Sequence, residues 1–93
     1  MPYSKDYRPA LVTLGKRFIA ARNAAKRSQA DVARALRMSQ SSLSHIERGA
    51  DTSLSTFVDL ARELNLEPTL VPKALARIVS DLAASHRDAR NDG

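Results

Sequence analysis

The stretch from residue 28 to residue 49 restricts the fold more than any other part of the chain. Ser28 is followed three residues later by Asp31, which is the capping-box spacing that begins a helix. Ser39 is a second N-cap residue, and Gly49 is suited to close the second helix at its C-terminal end. The stretch therefore predicts two short helices joined by a tight turn.

The apolar residues of this stretch share one side of both predicted helices. Small Ala33 falls where the two helices must touch. The remaining apolar positions point into one shared core, and they are Val32, Leu36, Met38, Leu43 and Ile46. This spacing is the helix-turn-helix pattern, which places its second helix in the major groove of DNA.

The outward face of the second helix carries polar residues that stabilise neither a helix nor a core. Each can hydrogen-bond a base edge, and they are Gln40, Ser41, Ser44 and His45. A solvated polar face is the ordinary explanation for such residues. The motif spacing and the basic surroundings favour base contacts here.

The length of 93 residues predicts one domain, small enough that a dimer would help to stabilise it. The absence of cysteine excludes a disulfide framework and a thiolate metal site, and two histidines alone cannot hold a metal, so we expect no cofactor. No apolar run approaches a membrane span and the first ten residues lack a signal-peptide pattern, so we expect a cytoplasmic protein.

Charge is divided unevenly between the two halves of the chain. Residues 1–50 carry ten Lys and Arg against three acidic residues, a balance of +7, whereas residues 51–93 carry five against seven, a balance of −2. The two-helix motif lies in the basic half. A high isoelectric point alone would fit solubility as well as DNA binding. Because the basic half of the chain also contains the motif, a phosphate-binding surface is favoured.

Helices are also predicted on both sides of the motif, which gives a domain over residues 9–66 behind a flexible N-terminus of residues 1–8. Pro9 suits the first turn of a helix that runs to about Ala25. Its inward face is Leu11, Leu14, Phe18 and Ala21. A fourth helix follows Ser53 with the core stripe Leu54, Phe57, Val58, Leu60, Ala61 and Leu64.

The start of the fourth helix is a candidate site for the DNA backbone. It puts hydroxyls and free N–H groups beside the second motif helix, and helix N-termini attract phosphate. The residues concerned are Thr52, Ser55 and Thr56. We expect further backbone contacts from Ser39 and Ser42.

The C-terminal part changes pattern after the fourth helix. Pro68 and Pro72 confine residues 67–73 to a strand of three or four residues. Its centre is Thr69, Leu70 and Val71. This strand has no mate in the chain, so it must remain a loop or pair with a second copy, and we predict pairing. Residues 74–85 form an amphipathic helix that can fold back, extend a dimer interface or dock a partner; residues 86–93 are predicted to be disordered.

Three segments together resemble the Cro and phage-repressor helix-turn-helix family: LGKRFIAARNAAKRSQADVARAL, SQSSLSHIERG and SLSTFVDLAREL, within residues 11–66. The continuation LNLEPTLVPK is similar to the HipB antitoxins, in which a short strand pairs across a dimer. The resemblance implies an all-α, five-helix repressor-like domain with one short C-terminal β-strand pairing across a dimer.

The resemblance also implies roles for individual residues. Gln29 would bind phosphate and support Gln40, while Glu47 and Arg48 would be structural or would face the DNA backbone. The chain departs from the family at Arg37, where a glycine usually occupies a left-handed turn. A non-glycine residue in that conformation costs about 1 to 2 kcal/mol.

These features bear on four possible functions. The first is a sequence-specific repressor that binds double-stranded DNA as a homodimer on a palindrome. The second is a HipB-like antitoxin that also binds a HipA-like kinase toxin, and the two are compatible. A helical protein-interaction module without DNA binding remains an alternative. An enzyme is excluded because the chain has no cysteine, no evident carboxylate pair in a pocket and no histidine with an acid or base partner.

Overall fold

The computed structural model describes residues 6–92, with the side chains of residues 6–86. This part of the chain is all-helical. Its α-helices are α1 (Tyr7–Ala24), α2 (Gln29–Ala35), α3 (Gln40–Glu47), α4 (Leu54–Glu63) and α5 (Ala76–Asp92), and a single 3-10 turn, Lys73–Leu75, precedes α5. Helices α1 and α2 both pack against α3, so the motif helices and the first helix share one core.

Three serines begin the helices of the motif and the helix after it, as the sequence predicts. Ser28, Ser39 and Ser53 have extended backbones, and each side chain accepts a hydrogen bond from the N–H three residues later. In α2 the backbone N–H of Ser28 also donates to Asp31 Oδ2 at 3.3 Å, which completes the capping box. The starts of these three helices were therefore encoded locally.

Helices α1 to α4 all end in the same way, with one residue in the left-handed conformation. These residues are Lys26 (φ 56°), Arg37 (φ 55°), Gly49 (φ 99°) and Asn65 (φ 62°). After α2, the N–H of Met38 donates to the Ala33 carbonyl at 2.9 Å and that of Arg37 to the Arg34 carbonyl at 3.1 Å, which is the Schellman pattern. Arg37 thus adopts the conformation that glycine usually provides, and the motif turn is kept.

The core lies between α1, α2, α3 and α4. Its buried apolar residues are Phe18, Val32, Ala33, Leu43, Ile46, Leu60, Ala61 and Leu64. Phe18 meets Phe57 edge to face with 5.5 Å between ring centroids. Two core predictions were wrong. Leu54 is 77% exposed, because the first residue of α4 lies beyond the edge of this core, and Leu14 of α1 is 38% exposed.

Gly15 allows the closest approach between α1 and α3. A Cβ atom built at Gly15 would collide with the Glu47 carbonyl oxygen and would lie 2.9 Å from the Ile46 carbonyl oxygen. Both are backbone atoms that cannot move without shifting α3. The glycine therefore fixes how deeply α1 packs on the second motif helix.

The predicted C-terminal strand does not form within the described chain. Residues 69–71 are irregular, and no backbone hydrogen bond joins them to another described segment of the same chain. Pro68 and Pro72 flank them without N–H donors, and Leu70 is 99% exposed. Within one chain the segment is a linker between α4 and α5.

The chain termini also differ from the sequence-based predictions. Helix α1 begins at Tyr7 rather than Pro9, and the rest of the predicted flexible N-terminus, residues 1–5, lies outside the described residues. Helix α5 continues to Asp92, where disorder was predicted over residues 86–93. None of the helices within residues 6–92 is long and apolar enough to cross a membrane.

Candidate nucleic-acid interface

The last residue of the second motif helix carries a buried carboxylate that faces α1. Glu47 is 3% exposed and forms a two-point ion pair with Arg22 of α1, with 2.7 Å from Nε to Oε2 and 3.1 Å from Nη2 to Oε1. Arg22 also donates from Nη1 to the Arg27 carbonyl at 3.0 Å. A buried charge is tolerated only when it is paired and hydrogen-bonded, and this geometry meets both conditions.

The same carboxylate orients two glutamines. Gln29 Nε2 donates to Glu47 Oε1 at 2.8 Å, which turns the Gln29 carbonyl oxygen towards Gln40. Gln40 Nε2 then donates to Gln29 Oε1 at 3.4 Å. Gln40 keeps its own carbonyl oxygen and a second N–H, which are the two groups that a glutamine uses to contact adenine.

The remaining outward residues of α3 lie on the same face as Gln40. Ser41 and His45 are exposed, and Ser44 is half-buried. Arg48 Nη1 donates to Ser44 Oγ at 2.5 Å, so the arginine lies along the helix beside the predicted base contacts. The Ser44 hydroxyl can still donate its own proton outward.

The serines at the start of α3 have divided roles. Ser39 Oγ accepts from the Ser42 N–H at 3.0 Å and donates to Ser42 Oγ at 2.8 Å, so its hydroxyl is used in capping. Ser42 retains a proton that it can donate to a phosphate. Of these two predicted backbone contacts, the structure favours Ser42.

The start of α4 faces α3 across an open groove of about 520 Å³. Among its lining residues are Ser42, His45, Thr52 and Thr56, so the predicted contacts of α3 and of α4 form one continuous surface. Ser53 Oγ donates to Thr56 Oγ1 at 2.9 Å and lies 3.2 Å from Ser55 Oγ, which keeps these hydroxyls together.

Sequence reasoning missed two features of this surface. It did not pair Arg22 with Glu47, although a carboxylate between buried Ile46 and the closing glycine is a signal that a cationic partner is needed. It also did not place Asp51 and Asp59 in the groove wall, where they oppose phosphate binding. Only the three-dimensional packing of α4 beside α3 brings these two acids there.

One carboxyl group of the motif has a clearly perturbed pKa. The Ser28 hydroxyl and backbone N–H both bond the Asp31 carboxylate, with Arg34 Nη1 further away at 3.4 Å, and together they hold the pKa of Asp31 below its usual value of 3.8. Hydrogen bonds to the charged form favour that form. Asp31 is exposed and acts in capping rather than in binding.

These elements define a helix-turn-helix DNA-binding domain, and comparison with known proteins agrees. A family model described as "Helix-turn-helix" matches residues 19–71, and the chain belongs to this family. It is 40% identical over 67 residues to a Sinorhizobium fredii protein named as an HTH-type transcriptional regulator. That match covers 71% of this chain and 34% of the relative, so the chain spans about a third of the relative's length. No solved structure matches the chain.

Proposed function

We propose that the protein is a transcriptional repressor that binds a palindromic operator as a homodimer in the cytoplasm. The observation that carries the proposal is the hydrogen bond from Gln40 to Gln29, whose own amide is bonded to the buried Glu47 carboxylate. A solvated polar face needs no buried charge behind it. A side chain that reads a base must be held in one orientation.

The surroundings of Gln40 support the same proposal. Ser41, Ser44 and His45 continue the polar face along α3, and the half of the chain that contains them has a balance of +7. We assign base contacts to these four residues. Backbone contacts are assigned to Gln29, Ser39, Ser42, Arg48, Thr52, Ser55 and Thr56, with Ser39 acting mainly as a cap.

The dimer follows from the size of one recognition helix. A helix of eight residues, Gln40–Glu47, contacts only a few base pairs. Two copies related by a two-fold axis would place their α3 helices in successive major grooves, about 34 to 36 Å apart. Such an arrangement requires an operator with two inverted half-sites.

Selection of bound sequences from a random duplex pool tests this proposal. We expect an inverted repeat whose half-sites are separated by about one helical turn. The affinity for the selected duplex should fall with rising salt, because phosphate contacts release counterions. A protein-interaction module would give neither a consensus nor a salt-dependent affinity, and that result would contradict the proposal.

A second, compatible proposal is that the protein is the HipB-like antitoxin of a toxin–antitoxin operon and binds a HipA-like kinase toxin. The observation that favours it is the segment Thr69, Leu70 and Val71, whose backbone groups are unpaired within the described chain and whose Leu70 side chain is 99% exposed. Co-expression with the product of an adjacent kinase gene should then give a stable complex. A stand-alone or phage-type repressor would purify alone.

A further inference from the structure

Helix α5 presents an apolar face that the rest of the described chain leaves uncovered. Its main contact is with the 3-10 turn that precedes it. Leu75, the last residue of that turn, and Ile78, Val79 and Leu82 of α5 are 47%, 57%, 44% and 65% exposed. Their spacing of three, one and three residues puts all four on one side of a helix.

The order of these residues is self-complementary. Residues 75–82 read Leu-Ala-Arg-Ile-Val-Ser-Asp-Leu, so the apolar positions are the first, fourth, fifth and eighth in either direction. The outer pair is leucine and the inner pair is β-branched. An apolar face whose residues have the same order in both directions can pack against a second copy of itself across a two-fold axis.

We infer that α5 pairs antiparallel with α5 of a second copy, about a two-fold axis between residues 78 and 79. Leu75 then packs against Leu82 of the other copy, and Ile78 against Val79. The pairing deepens the proposed function, because it supplies the homodimer that a palindromic operator requires. It places a dimer contact in a helix, in addition to any pairing of residues 69–71.

Charge favours the antiparallel direction over the parallel one. The antiparallel pair sets Asp81 opposite Ala76 of the other copy, whereas a parallel pair brings the two Asp81 carboxylates to the same level. The two orientations predict different distances and are therefore separable.

Cysteine cross-linking distinguishes these arrangements, because the chain contains no cysteine of its own. Val79→Cys lies next to the axis and should form a disulfide dimer with itself under mild oxidation. Leu75→Cys should not, because its copies lie about 10 Å apart along the helices, beyond disulfide reach. A mixture of Leu75→Cys and Leu82→Cys should give the mixed dimer.

Ser80→Cys, on the opposite face of α5, is the matched control and should stay reduced. Self-linking of Leu75→Cys would show a parallel pair. Self-linking of Leu70→Cys without that of Val79→Cys would show the strand dimer. Leu54 lines an apolar groove between α1 and α4, together with Leu14 and Phe57. Linking of Val79→Cys to Leu54→Cys would show α5 docked in that groove of the globular core. Each of these three results overturns the inference, as does absence of any link.

Sedimentation gives an independent readout. The wild-type protein should sediment with twice the chain mass of 10.2 kDa. The Ile78→Glu variant should sediment as a monomer. Ser80→Glu adds the same charge on the other face and should remain dimeric; a dimeric Ile78→Glu variant would overturn the inference. Because neither assay contains DNA, the sequence selection above can succeed or fail independently of them.

Discussion

Gln40 and Gln29, the first residues of α3 and α2, are joined by a hydrogen bond of 3.4 Å from Gln40 Nε2 to Gln29 Oε1. The contact links the starts of the two motif helices on the side where both approach the proposed DNA. Gln29 is in turn bonded to buried Glu47, so its amide is held in one orientation. Gln40 is thus linked to the buried Glu47 carboxylate through a side chain to which we assign no base contact.

Replacement of Gln40 should affect specific binding alone. We expect Gln40→Ala to cost about 1 to 3 kcal/mol on the selected operator and to relax the preference at one base pair of each half-site. Titrations of operator and random duplex measure both affinities. Arg48→Ala is the contrasting variant, because loss of a phosphate contact weakens every sequence alike. Equal losses on both duplexes for Gln40→Ala would make Gln40 a backbone contact.

Replacement of Arg37 should increase stability. Its φ of 55° is left-handed, and Arg37→Gly removes the Cβ clash at some entropic cost in the unfolded chain. We expect a gain of up to about 1 kcal/mol in the free energy of unfolding, measured with urea. Operator affinity should be retained, since none of the hydrogen bonds of the turn involves the Arg37 side chain.

Lys26 provides the matched control for this substitution. It has the same conformation after α1, with a φ of 56°, and is also exposed. Lys26→Gly should therefore change stability by a similar amount. A gain at Lys26 with a loss at Arg37 would mean that the arginine side chain stabilises the turn through a contact of its own.

The local rules of helix capping predicted most of the domain. Ser28, Ser39 and Ser53 begin three helices, and Gly49 ends α3, because each of these signals acts within a few residues of sequence. The apolar spacing of the motif also predicted that Val32, Leu43 and Ile46 are buried, whereas Leu36 and Met38 are partly buried at the edge of the core. Such features need no knowledge of how distant segments meet.

Contacts between distant segments could not be predicted in this way. Arg22 and Glu47 are 25 residues apart, and only the crossing of α1 over α3 brings them together. Exposure of Leu54 likewise depends on where the core ends. The strand over residues 69–71 was predicted from two prolines and β-favouring side chains, which describe an extended backbone but supply no partner for it.

Acid should weaken the start of α2. Hydrogen bonds from Ser28 lower the pKa of Asp31, so the capping box contributes stability above the unfolded pKa near 3.8 and loses it as the pH falls through the lower folded value. Urea titrations of the wild type and of Asp31→Ala between pH 6 and about pH 2 should show a difference in stability that shrinks with acid. A difference that grows instead would contradict the role of the charged carboxylate.

The buried ion pair allows stability and specificity to be separated. Arg22→Met leaves the Glu47 carboxylate without its cation in a site where that side chain is 2% exposed, and we expect a loss of about 3 kcal/mol or more in the free energy of unfolding.

The double variant Arg22→Met/Glu47→Leu removes both charges and should recover most of that stability, because an apolar pair of similar volume carries no desolvation cost. Gln29 Nε2 would then lack its acceptor. The Gln29 amide that bonds Gln40 would no longer be held in one orientation. Specific binding should fall by more than binding to random duplex does. A stable double variant with unchanged operator preference would show that Gln40 needs no support from Glu47, and the buried charge would then serve the packing of α1 on α3 alone.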